Sequence, residues 1–395
     1  MRLPHHFIQQ FGTTIGSNNE NCFIYLHFIL LLAGCAIGTQ EADFENELII
    51  ADTLARFPVS DQTYPQSQAV ELFESYDSVR YLCYLNPGKN EILFFFLDSM
   101  KLSHKISLAQ DGPHGVGKAV GFTVGSLDSV YVTSKGRKIL YLVNRKGLLL
   151  SKNDYSAVCL ISMSSYSTTK TPVFVTDTCL YLPLLPAGNW STITDKQMIS
   201  FNLCLSLNLT RGAASLCTAG YPESAYETRC VQYQWCRGDE LYVISFERID
   251  NLYTKVDLAE LKATTAKSNF HRKTESPPTN PAPEQYLRYS IETPAYTGII
   301  YDKYRDVYYR ICYQGKTTGK DDNLMQLASF KPYYSILILN KHLEIIGETL
   351  LPENQFYPEE YFVAKEGLYI SENTFFNENY DEDYLTYRLL RLKKR

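Results

Sequence analysis

From about residue 48 onward, apolar positions fall in short runs separated by Gly, Asn, Asp and Ser. Helical spacing is almost absent; the best candidate is one weak turn, Asp257-Leu258-Ala259-Glu260-Leu261. Short apolar runs bounded by turn residues predict β-strands. The runs recur in a pattern: a turn residue, one or two spacers, an apolar residue, then Tyr. The copies are Asp77-Ser78-Val79-Arg80-Tyr81, Asp128-Ser129-Val130-Tyr131, Thr178-Cys179-Leu180-Tyr181, Asp239-Glu240-Leu241-Tyr242, Arg305-Asp306-Val307-Tyr308 and Glu366-Gly367-Leu368-Tyr369. A second signature follows most copies, an apolar run ending in Asp or Asn: Leu97-Asp98, Val143-Asn144, Phe201-Asn202, Val256-Asp257 and Leu339-Asn340.

A strand-rich unit repeated at this interval means a solenoid or a propeller. Four strands fit each unit; the first reads Val70 to Ser75, Val79 to Asn86, Glu91 to Leu97 and Leu102 to Leu108. A four-stranded antiparallel unit of this length is a propeller blade. The expected fold is therefore all-β, a six-bladed β-propeller over residues 48–395. The apolar stretch Leu48 to Ala51 precedes the first unit and is placed to pair with the last one and close the ring. Two polar insertions interrupt the units. Lys262 to Gln285 ends in Pro277-Pro278-Thr279-Asn280-Pro281-Ala282-Pro283, which rules out a central strand. Gln314 to Pro332 is the other, and long loops of this kind are disordered or functional. Arg229 to Cys236 reads as one strand with Trp235 in the core.

Ahead of the repeats, Phe23 to Ala33 is apolar and too short to span a bilayer. It closes on Leu32-Ala33-Gly34-Cys35, a short apolar core followed by small residues, which marks an export signal. A cysteine directly after Leu-Ala-Gly makes the segment similar to a bacterial lipobox, with Cys35 as the lipidated residue. The segment before the apolar run departs from a normal signal: it is long and holds only Arg2 as a strong cation, with Glu20 against it. Residues 1–35 are read as a lipoprotein signal peptide and the acidic stretch 36–47 as a tether. The expected location is the bacterial outer membrane, lipid-anchored, on its periplasmic or surface face.

Composition adds less. Formal charge is −5, which gives no nucleic-acid footprint. Aromatics reach 13%, with 31 Tyr, favouring strands, binding faces, or both. Past Cys35 there are eight Cys and no C-x-x-C, so no zinc pattern is present. Most are expected to be buried thiols. Cys230 and Cys236 are not expected to pair, and Cys204 with Cys217 is the pair to test first.

With these residues in place, the chain resembles a family of Bacteroides-type lipoproteins of unknown function that carry a TolB-like propeller domain. The match rests on Asp111-Gly112-Pro113-His114-Gly115-Val116-Gly117-Lys118, on Leu127-Asp128-Ser129-Val130-Tyr131-Val132, and on Tyr301 to Arg310. It covers nearly all of the chain after Cys35. The resemblance implies the fold and the membrane anchor, and no activity. His114 stands where the family more often has Asn, which weakens a role for its imidazole.

Candidate chemistry is sparse. Asp111 to Lys118, with three Gly and a Pro, marks a tight turn joining the first unit to the second, on the face where a propeller channel opens. Asp111, His114 and Lys118 are therefore candidate ligand residues. The spacing is not a phosphate-binding loop, because Ala119 follows Lys118. Trp190, in the loop Pro186 to Trp190, is a candidate aromatic platform. His104 and His342 read as exposed residues without a role. No histidine pair has metal-ligand spacing, so no metal and no cofactor is expected. The carboxylate pairs Glu359-Glu360, Asp321-Asp322 and Asp381-Glu382-Asp383 read as solvated turns. If the first of them lay in a strand, its two members would face opposite sides. The basic cluster Arg391, Lys393, Lys394 and Arg395 reads as a solvated tail. No nucleophile elbow or reactive-Cys signature is present.

The function this supports is a membrane-anchored binding or assembly module with a protein or glycan partner. The alternative is a propeller hydrolase with a polar or metal-assisted site in its channel. Inner strands bringing three or more carboxylates or amides to one point favour the enzyme. A closed channel with an aromatic rim favours binding.

Overall fold

The computed structural model describes residues 44–160, 163–187, 193–239, 241–255, 261–271, 276–278 and 281–395. Phe44 to Arg395 form one compact unit. The first four-stranded sheet is β2 (Val70–Glu74), β3 (Arg80–Asn86), β4 (Glu91–Phe96) and β5 (Leu102–Ser107), within a residue of the expected bounds. The second is β6 (Ala119–Ser126), β7 (Ser129–Ser134), β8 (Ile139–Val143) and β9 (Leu149–Asp154). A two-residue ladder joins β10 (Met163–Ser164) to β13 (Leu185–Pro186). The third sheet is β11 (Phe174–Val175), β12 (Cys179–Pro183), β14 (Cys204–Asn208) and β15 (Ala214–Leu216). The fourth is β16 (Tyr233–Arg237), β17 (Tyr242–Phe246), β18 (Asn251–Lys255) and β19 (Lys262–Thr265). All four are antiparallel meanders in chain order.

The remaining strands form one eight-stranded sheet made of two antiparallel halves. One half is β20 (Ala295–Asp302), β21 (Val307–Tyr313), β22 (Tyr334–Asn340) and β23 (Ile345–Leu350). The other is β24 (Tyr357–Ala364), β25 (Gly367–Ser371), β26 (Tyr384–Lys394) and, as its outermost strand, β1 (Asn46–Pro58). A single parallel pair, Asn46 with Gly347, links the halves. Thus Leu48 to Ala51 does pair with the last unit, in a strand that begins at Asn46. The fold is all-β and propeller-like.

The six recurrent Tyr, at 81, 131, 181, 242, 308 and 369, all sit in the second strand of a unit, β3, β7, β12, β17, β21 and β25. All but Tyr181 are buried. The Asp/Asn signature marks the end of the third strand. Asn144 and Asn340 cap the turn after β8 and β22 by accepting backbone N–H bonds from within it. In the third unit the residue with this job is Asn208, at the end of β14, and not Asn202. In the last unit β1, from the other end of the chain, supplies the fourth strand, so no tight turn joins its third strand to its fourth.

Several expectations need correction. The stretch 229–236 is strand only from Tyr233, where β16 (Tyr233–Arg237) begins; Cys230 follows the short helix α2 (Glu223–Glu227), and Arg229 takes φ 48°. Cys230 and Cys236 are unpaired, as expected, but not because they share a strand. Cys204 and Cys217 form a disulfide, their Cα atoms 5.4 Å apart. The other six described cysteines are free thiols, five of them buried. Lys262 opens an edge strand, β19, so the first insertion starts later than its composition suggests. The insertions also carry helices α3 (Pro283–Glu292) and α4 (Leu324–Ser329), which the polar composition hid; α1 (Asp195–Ile199) is a further short one. Asp257 to Glu260 lie outside the described residues. The basic cluster is strand rather than tail: Lys393 and Lys394 pair with Glu47 and Asn46 in register, and Arg395 Nε meets Glu47 at 3.0 Å. His104 is half-buried, its ring stacked on Phe94 at 4.4 Å. No described helix is long and apolar enough to cross a membrane.

Candidate functional site

Antiparallel pairing fixes which connections share an end of the sheets. Turns from first to second strand and from third to fourth strand gather at one end. They are short, such as 75–79, 144–148 and 303–306. The opposite end carries the remaining connections, among them 155–173, 184–203, 266–294, 314–333 and 372–383. All four helices lie in connections of this second kind, and α3 packs on α4.

One of these connections turns inward. Residues 165–173 hydrogen-bond the first strands of several units. Thr169 N donates to Gln68 O (2.9 Å), and Val70 N donates to Thr169 Oγ1 (2.8 Å). Phe122 N donates to Ser167 O (3.0 Å). Trp235 donates from its backbone to Lys170 O (3.1 Å) and from Nε1 to Pro172 O (2.9 Å). Tyr361 OH donates to Thr169 O (3.3 Å). These partners belong to β2, β6, β16 and β24 or their immediate approaches, so the segment sits where the inner strands converge. Gly121 permits this: a Cβ there would lie 1.9 Å from the Ser167 carbonyl oxygen. The backbone approaches so closely that only glycine fits.

The segment divides the centre into two cavities. The first, about 350 Å³, lies toward the long connections. Its polar wall holds Gln68, Lys170, Gln232, Gln234, Glu247 and Glu359, with Tyr166, Tyr233 and Tyr357 between them. Lys170 and Glu359 form an ion pair inside it. Gln234 is engaged elsewhere, its amide nitrogen donating to Ser245 O at 3.0 Å and Tyr296 O at 3.3 Å. Lys331, half-buried beside the cavity, has its ammonium pKa lowered by desolvation, against the pull of Glu247 and Glu359. The second cavity, about 220 Å³, lies toward the short turns and is mostly apolar.

Glu359 and Glu360 lie in β24, the first strand of its unit, and not in a solvated turn. As alternation requires, they diverge. Glu359 faces the cavity, whereas Glu360 is fully buried and accepts hydrogen bonds from Ser67 N and Tyr387 OH. Burial pushes the Glu360 carboxyl up to about 8. The period-two pattern of Tyr357 to Ala364 carried this signal; Pro358 and the paired charges obscured it. Nothing local marked Lys170.

The loop Asp111 to Lys118 joins β5 to β6 at the long-connection end. Val116 N and Gly117 N donate back to Ala109 O and Gln110 O, and Gly112 and Gly117 take φ of 84° and 78°. Asp111 and His114 are exposed. Lys118 donates from Nζ to the Pro87 carbonyl. None of the three lines the first cavity. Trp190 and Cys35 lie outside the described residues. Among the described residues, no group of three or more His, Cys, Asp or Glu is placed to hold a metal.

The sequence profile of a family described as a domain of unknown function (DUF4221) matches residues 45–350. The structure is similar to the crystal structure of a DUF4221 member from Bacteroides vulgatus ATCC 8482, with TM-score 0.77 and 23% identity, covering 90% of this chain and 100% of that one. It is also similar, with TM-score 0.51 and 11% identity over 89% and 96% of the two chains, to a Bacteroides fragilis NCTC 9343 protein named for its expected export. No functionally curated protein matches the chain. With a profile match over most of its length, the chain belongs to the DUF4221 family.

Proposed function

We propose that this protein is an extracytoplasmic, lipid-anchored six-bladed β-propeller that binds a partner or ligand at its long-connection face. The observation that carries this reading is the inward segment 165–173, which makes the centre a closed cup, lined by Tyr and polar groups, rather than a channel. Such a cup under long loops suits recognition. Of carboxylates and amides, β16 and β24 bring Gln234 and Glu359 to the cavity, with Gln68 and Gln232 at strand approaches; Gln234 is spent on backbone carbonyls and Glu359 on Lys170. That falls short of the convergent carboxylates a hydrolase needs, although Glu247 and Glu359 share the cavity. The Cys204–Cys217 disulfide supports an oxidising compartment, as does the name of the B. fragilis relative. The lipobox supports anchoring through Cys35.

The test is a pull-down from native membranes with the wild type, Cys35→Ala and Glu359→Gln. A stoichiometric partner that is lost with Cys35→Ala supports an anchored assembly module, and its loss with Glu359→Gln places the contact at the cavity. Absence of any partner in the wild type sinks the assembly reading and turns the search to soluble ligands and hydrolysis.

A further inference from the structure

The second cavity has a different character from the first. Its walls are aromatic and aliphatic, chiefly Phe122, Ile300, Tyr301, Tyr361 and Phe362, and among the described residues its one charged member is Glu71. Glu71 lies in β2, directly opposite Cys83 of β3. Its carboxylate accepts one backbone bond, from Val124 N of β6 at 3.1 Å, and among the described residues no lysine, arginine or histidine lines the cavity. An isolated carboxylate in an apolar wall is costly unless a cation meets it. Aromatic walls attract cations as well. The volume is of the order that holds a benzene-sized body with a small substituent.

We propose that this cavity is a binding site for a small organic cation, an amine or quaternary ammonium with an apolar body, with Glu71 as its counter-ion. The inference is independent of what occupies the first cavity, because residues 168–172 stand between the two.

The proposal has a pH signature. Desolvation pushes Glu71 up to about 8, against the opposing Val124 hydrogen bond. The neighbouring titratable groups are Cys83 on β3, Tyr301 on β20 and Tyr361 on β24, and all three are raised above their ordinary values by burial. The β6 side contributes Phe122 and backbone, and the inward segment contributes Thr168, Thr169 and Pro172. Glu71 is therefore the group that changes charge between pH 6 and 8. A cation must displace its proton below about 8 and need not above it.

Calorimetric titration with benzyltrimethylammonium, whose charge is fixed, and with neutral benzyl alcohol at pH 6, 7 and 8.5 tests this. The cation is expected to bind about tenfold more tightly at pH 7 than at pH 6, with the gain levelling off above 8. Benzyl alcohol should show no such trend. Glu71→Gln, which keeps an acceptor for Val124, should weaken the cation by tenfold or more at pH 8.5 and abolish its pH dependence. Equal, pH-independent binding of both probes, no binding of the cation, or unchanged affinity in the variant would overturn the proposal. The wild-type pH profile decides the matter even if the variant does not fold.

Discussion

The two ends of the sheets are held together in opposite ways. At the short-turn end, three of the described turns are closed by an Asn of their own. Asn144 Oδ1 accepts from Lys146 N and Leu148 N, both at 3.0 Å; Asn208 Oδ1 accepts from Thr210 N and Arg211 N; Asn340 Oδ1 accepts from His342 N and Glu344 N. At the long-connection end, buried ionisable side chains reach from strands to distant loops. Glu360 of β24 takes Ser67 N of the 59–69 connection. Glu348 of β23 takes Asn269 N (2.9 Å) and the Ser268 hydroxyl of the 266–294 connection. Arg310 of β21 donates to the carbonyls of Ile249 (2.6 Å), Asp250 (2.7 Å) and Ala266 (2.7 Å) and to Ser245 Oγ (3.0 Å). Turns built from neighbours fail one at a time. Loops fastened through buried charge depend on partners far away in the chain, so a single loss there should spread.

Arg310 gives the largest effect. It is fully buried, stacked 3.3 Å above the Tyr296 ring, and binds the fourth sheet to β21. Arg310→Ala leaves the Ile249 and Ala266 carbonyls without this donor, while Asp250 O keeps Ala266 N at 3.1 Å; removing one member of a buried charged network typically costs about 3–5 kcal/mol. Urea unfolding should show that loss. Arg310→Lys should recover little of it, since an ammonium cannot reproduce the planar fork. A loss as small as that of a surface turn would remove the distinction between the two ends.

Glu360 sharpens the comparison through pH. Its carboxyl is held near 8 in the folded chain by burial, against an ordinary value of 4.5. The native state therefore keeps a proton that the unfolded chain gives up. Its contribution is fully present below about 4.5 and is lost progressively as pH rises to about 8. Between pH 6 and 8 this one group should lower stability by something on the order of 2 kcal/mol. Glu71 titrates in the same direction over the same range. Glu360→Gln should therefore about halve the slope of stability against pH rather than flatten it. An unchanged slope would mean that Glu360 is ionised in the fold.

The same contrast explains what could be read from the sequence. The Tyr repeat and the Asp/Asn signature were visible because they act on residues two to four positions away. They located the second strands and the third-strand turns. The copy Val256-Asp257 lies outside the described residues; among the rest, the misplaced one, Asn202 for Asn208, arose where a disulfide and a helix-bearing loop displace the pattern. The central cavity was not visible because its parts meet across the chain. The Glu360 bond to Ser67 spans a sequence separation of 293, and Lys170 meets a carboxylate in β24. No spacing rule connects such residues. What the sequence did carry for Glu359 and Glu360 was their divergence in a strand, and the solvated-turn reading left that unused.

Asn340 supplies the smallest effect and the control. Its side chain closes the turn between β22 and β23, where Leu343 sits at φ 63° with its side chain buried. Asn340→Ala removes three hydrogen bonds from one exposed turn, two accepted by Oδ1 and one donated by Nδ2 to the Glu344 carboxylate, together worth about 0.5–1.5 kcal/mol, and leaves no buried group unpaired. Amide exchange should quicken at His342 and Glu344 while Arg310 and its carbonyl partners stay protected. Combined with Asn144→Ala the losses should add, because the two turns share no partner. If Asn340→Ala instead loosened the 266–294 connection, the short-turn end would be coupled to the loop end through β22, and the turns would not be the independent closures their local bonding implies.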